Sequence, residues 1–157
     1  MVNAIIRKVI EELSHNGIKH IYSTFDNANT KKMHDCFSTA VSLNCLELKT
    51  PLFSESAIIT PYKADIDLRV TTPEEVSIER LEKYYSCKLK FAIMDILGIS
   101  WCISRVGIAP NAKGTFELVV SLTIKGIVVA ENGKYSFFTD FFEFEHRKEI
   151  PTKWKGI

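Results

Sequence analysis

The stretch Tyr62–Val70, YKADIDLRV, constrains the fold of this chain more than any other. Tyr62, Ala64, Ile66, Leu68 and Val70 alternate with Lys63, Asp65, Asp67 and Arg69. Successive side chains of a strand point to opposite faces, so this pattern predicts a strand with one buried and one wet face. Strands of parallel sheets are covered on both sides and read as continuous apolar runs. A charged parity therefore argues for an antiparallel sheet. The apolar parity then needs a second layer to cover it.

Two segments can supply that layer. In VNAIIRKVIEELSHNG, residues Ile5, Ile6, Val9, Ile10 and Leu13 form one stripe of an amphipathic helix, and Gly17 suits a left-handed cap. The segment 71–98, TTPEEVSIERLEKYYSCKLKFAIMDILG, predicts a second helix. Thr72 is placed to cap it, Pro73 takes its first position and Glu75 completes a capping box. Its buried stripe is expected at Ile78, Leu81, Tyr85, Leu89, Ala92 or Ile93, and Ile96, with Gly98 ending it.

The remaining segments read as strands. KHIYSTF (19–25) is a short one. Residues 36–48 alternate, but the apolar parity changes after Cys45, which predicts a bulge or bend. TPLFSES breaks the chain. ISWCISRVGI and TFELVVSLTIKGIVV flank the loop APNAKG, and Asn132–Gly133 is a two-residue hairpin signal. YSFFTDFFEFEH is then a returning strand or an aromatic arm, and RKEIPTKWKGI has no periodicity. Helix, strands, helix, strands is the order of an α+β fold: a mainly antiparallel sheet packed against two helices, with a C-terminal hairpin or arm. With 157 residues, the chain divides into one domain over 1–130 and a hairpin with an aromatic and basic arm over 131–157.

Candidate chemistry is sparse. His34, Asp35 and Cys36 are adjacent, but in a strand 34 and 36 share a face while 35 points away. A relay needs groups converging from separate parts of the chain. Zinc would need further ligands; Cys45 is nearby in sequence, but His15, His20 and His146 offer no matching spacing. Cys36, Cys45, Cys87 and Cys102 lie in no CxxC pair and are expected to be reduced core hydrophobes. Asp65 and Asp67 share a face but read as the solvated side of their strand. No Gly-rich phosphate motif occurs. The expectation is therefore a protein that is not an enzyme and has no cofactor and no metal.

A formal net charge of +1 gives no global attraction to nucleic acid, and the aromatic cluster is interleaved with Asp140, Glu143 and Glu145. Single-strand platforms pair aromatics with basic residues instead. No apolar run is long enough to span a membrane. Tyr135, Phe137, Phe138, Phe141, Phe142, Phe144 and Trp154 are the candidate interface residues, as an arm that docks on a neighbour or an edge strand packed on the core.

The helix NAIIRKVIEEL, the strand YKADIDLRVTT, the helix PEEVSIERLEKYYSCKLKFAIMDILG and the strand pair ending FELVVSLTIKG come in an order that resembles the tail-terminator (tail-completion) proteins of tailed phages and phage-tail-like contractile particles. The similarity spans roughly residues 1–128. The resemblance implies a non-enzymatic, hexameric ring that caps the tail tube and stops its polymerisation. Its implied partners are the tube protein and a sheath or head-connector protein. It implies synthesis in the bacterial cytoplasm and incorporation into a particle. Alternatives are a head–tail connector or neck protein, an enzyme or metal protein built on His34, Cys36 and Cys45, and a small-ligand module between sheet and helix.

Overall fold

The strand expected over Tyr62–Val70 lies at the centre of the molecule. The computed structural model describes residues 1–24, 37–54, 56–72, 77–111 and 114–149. In chain order these form α1 (Val2–His15), β1 (Ile21–Ser23), β2 (Ser38–Leu48), β3 (Leu52–Phe53), β4 (Ala57–Thr71) and α2 (Ile78–Tyr84). A π-helical turn (Tyr85–Leu89) leads from α2 into α3 (Lys90–Met94), followed by β5 (Ser100–Pro110), β6 (Phe116–Glu131), β7 (Lys134–Phe138) and α4 (Phe141–Glu149). The sheet has the order β1-β2-β4-β6-β5, with β3 also paired to β4 and β7 to β6. Every pairing is antiparallel except β1 with β2. The architecture is α+β, as the alternation predicts.

The inner parity of β4 is fully buried from Tyr62 to Val70, beside Leu118, Val120, Leu122 and Ile124 of β6. Ile5, Ile6, Val9 and Leu13 of α1, with Leu81, Leu89, Ala92, Ile93 and Ile96, cover that face and complete the main core. Gly17 has φ +95, Ile18 N–H donates to Leu13 O and Gly17 N–H to Ser14 O. This is a Schellman cap with Ile18 buried over Leu13. Asn16 Nδ2 then donates to Ala92 O at 2.9 Å, tying the end of α1 to α3.

The second helix departs from expectation in its middle and at its end. It is described from Ile78, with Ser77 as N-cap, whose hydroxyl accepts from Arg80 N–H; Pro73 and Glu75 of the expected capping box lie outside the described residues. Ile78 is exposed, and the helix ends at Met94, before Gly98. Its middle widens into the π turn, where Ser86 Oγ donates to Glu82 O. A wider turn rotates less per residue, which brings Leu89 onto the face of Leu81 although eight positions separate them.

β4 and β6 are far longer than common strands, and their outer parity changes character along its length. Around the middle it carries Lys63, Asp65 and Asp67. Near the far end it carries Ala57 and Ile59, beside Ile127 and Val129. These four and Phe138 form a second apolar cluster on the opposite face of the sheet, and Phe141 and Phe144 of α4 cover it. Asn132 (φ 52) and Gly133 (φ 76) form the tight turn between β6 and β7.

The carbonyl of Phe138 passes so close to Gly126 that a Cβ there would sit 2.6 Å from it. Backbone cannot yield as a side chain can. Gly126→Ala should lower stability by about 1–3 kcal/mol, read as a lower urea midpoint at unchanged slope. Gly107→Ala, which meets nothing within 4 Å, should stay within about 0.5 kcal/mol of the parent.

Candidate functional site

His34, Asp35, Cys36 and Trp154 lie outside the described residues. Among the described residues, no three His, Cys, Asp or Glu side chains are close enough to hold a metal ion. The cysteines correct an expectation: Cys45, Cys87 and Cys102 are all exposed. Cys45 follows the bulge in β2, Cys102 sits on the parity of β5 opposite to Trp101 and Ile103, and Cys87 lies on the outer side of the π turn.

The outer face at mid-sheet is a ladder of small polar groups. Cys45, Asp65, Thr123 and Cys102 form one row across four strands, and Ser42, Asp67, Ser121 and Arg105 form another. Thr123 Oγ1 donates to Asp65 at 3.0 Å and Ser121 Oγ to Asp67 at 2.8 Å. Asp67 is only 9% exposed, so it is not the solvated group the alternation suggests. These carboxylates are held by hydroxyls of the adjacent strand, a cross-strand arrangement that stabilises the sheet. Arg69 and Glu117 close the same face with an ion pair at 2.6 Å.

Beside α4 an open groove of about 450 Å³ is lined by Lys49, Lys63 and Lys125, and by Glu47 and Asp140. Charges of both signs line it, with Lys63 directly opposite Lys125. Asp140 accepts from Glu143 N–H at 2.8 Å, and the Glu143 carboxylate returns to the Thr139 N–H and hydroxyl. Both carboxylates are therefore engaged in capping the helix.

The aromatic residues separate into two groups. Phe137 packs on the main core, edge-on to Tyr62, and Phe138 is buried in the second cluster with Phe144 edge-on to it. Phe141 covers that same cluster. Tyr135 is exposed, and Phe142 is 78% exposed and stacked on His146. Most of the segment read as an arm is thus a strand followed by a helix that covers its own chain.

Two groups of exposed apolar side chains were not expected. Leu48, Phe53 and Ile58 share one face around the β3–β4 hairpin, with Phe53 76% exposed, and Leu52 is exposed on the other face. Phe91, Met94 and Leu97 lie at and just beyond α3. The second group has a signal in LKFAIMDIL (89–97), whose apolar residues exceed what one helical face can bury. The first has only the adjacent Leu52 and Phe53 inside a turn-rich stretch.

No family model matches the chain, and no curated protein is significantly similar to it. Among the described residues, no helix is long and apolar enough to cross a membrane.

The Tyr62 hydroxyl is buried with no hydrogen-bond partner, and burial pushes its pKa well above the usual phenol range. Burial also raises Tyr84, with the Thr39 hydroxyl acting the other way. A raised folded-state pKa means that the unfolded chain loses its proton first. The stability involved is complete below about pH 10 and declines above it. Unfolding free energy should therefore fall as pH rises past about 10, and Tyr62→Phe should make that fall shallower. At pH 7 the substitution should be neutral or slightly stabilising, because it removes an unpaired buried hydroxyl.

Proposed function

We propose that this chain is a non-enzymatic structural protein that forms a ring, of the kind the tail-terminator resemblance implies. Such a ring would cap a tail tube and stop its polymerisation, with tube and sheath or head-connector proteins as its neighbours. The observation that carries the reading is the presence of two dissimilar groups of exposed large apolar side chains. One is on the β3–β4 hairpin around Phe53 and the other at the end of α3 around Phe91, Met94 and Leu97. Exposed large apolar side chains grouped on one element favour being covered by a partner. Closed rings need two different patches per subunit, since each copy meets one neighbour with one surface and the next with another. A formal net charge of +1 puts no electrostatic barrier between copies.

Sedimentation equilibrium should give a closed assembly near six chains, the value the resemblance implies. A chain that stays monomeric at high concentration contradicts the reading. Phe53→Ser should weaken assembly or tube binding at least tenfold while leaving the circular dichroism spectrum unchanged. Loss of Phe53 with no effect on either would remove the hairpin from the interface.

A further inference from the structure

The two ends of the sheet fit each other. Among the described residues, β2 has no outer partner from Ser42 to Leu48, because β1 covers only Thr39–Val41. Among the same described residues β5 has none along its outer side. The strands β2, β4, β6 and β5 alternate in direction, so β2 and β5 run opposite ways. Copies related by rotation about an axis along the strands would bring β5 of one against β2 of the next in antiparallel sense, continuing the sheet.

Both edge strands carry a bulge, and the two bulges compensate. Between the row of Cys45 and Cys102 and the row of Ser42 and Arg105, the central strands have one residue each, Ile66 and Leu122. The edge strands have two each: Leu43 and Asn44 in β2, Ile103 and Ser104 in β5. Ser104 Oγ donates to Ser121 O and anchors the second bulge to its neighbour. A bulge ordinarily guards an edge, because a regular strand cannot follow it in register. These two edges are each one residue longer over the same interval, so they match one another and reject a regular strand.

We infer that Ser100–Arg105 of one copy pairs with Ser42–Glu47 of the next, head to tail. This interface rests on the ring-forming reading above and gives it an address. The register sets Cys102 beside Cys45 of the next copy, Ser100 beside its Glu47, and Arg105 beside its Ser42. On the inner face Trp101 meets Leu46 of the next copy. Both already flank their own cores while remaining partly exposed. Bulges increase local twist, which favours closure over a flat filament.

The two cysteines supply the test. Opposite residues of an antiparallel pair have Cβ atoms about 4.5–5.5 Å apart, within reach of a short linker. In a Cys36→Ser, Cys87→Ser background, an ethane-bridged bismaleimide should convert the assembly into a covalent ladder on a denaturing gel. Adding either Cys45→Ser or Cys102→Ser should abolish the ladder. An assembly of full mass that yields no ladder, or only dimers joined through like cysteines, overturns the edge pairing and leaves the ring intact. A monomer by sedimentation overturns both.

Discussion

The pairing of β4 with β6 is the constraint on which the rest of the structure depends. Their register runs without a shift from Ala57 opposite Glu131 to Val70 opposite Leu118. β2, β3, β5 and β7 attach directly to these two strands, and β1 attaches through β2. A slip of one residue would send Ala64, Ile66 and Leu68 to the outer face and Asp65 and Asp67 into the core. Burying an unpaired carboxylate costs several kcal/mol, while each Leu or Ile left exposed forfeits about 1.5–3 kcal/mol. Both terms penalise any other register. The irregularities are accordingly pushed outward: both bulges lie in strands at the sheet's edges.

The same pair explains the division of the molecule into two apolar regions. One parity of β4 is apolar from Tyr62 to Val70 and meets α1, α2 and α3. The other changes from Ala57 and Ile59 to Lys63, Asp65 and Asp67, so it is apolar only at one end. α4 occupies that end, and the close passage of Phe138 over Gly126 fixes where β7 gives way to it.

Local signals with a single physical solution were legible in the sequence. These include the period-two pattern of β4, the glycine cap after α1, the Asn132–Gly133 turn and the parity change that marks the bulge near Asn44. The π turn was not legible, because it reveals itself only as a stripe that cannot hold one face. α4 was hidden by its phenylalanines, which suit a strand equally well. The arrangement DFFE at 140–143 was the available signal, and Asp140 and Glu143 do act as its capping pair. Cysteine burial failed because the type average says nothing about parity, and Cys102 falls on the outer one. For the candidate surface, the sequence pointed to the aromatic segment, whereas Phe137 and Phe138 belong to the chain's own cores. Of that segment Tyr135 and Phe142 stay exposed, and further open apolar side chains lie on the β3–β4 hairpin and at and just beyond α3. Edge matching across the whole sheet depends on registers between distant strands, which no local pattern carries.

A sheet whose β2 and β5 edges each carry a bulge over the same interval, with exposed apolar groups and a formal net charge of +1, is what supports the proposed subunit completed by copies of itself. Class averages of the purified protein by electron microscopy test that account most directly. The account predicts a closed ring of rotationally related copies with the sheets continuous around a central opening. Single globular particles of one chain's size, or open filaments without closure, would contradict it.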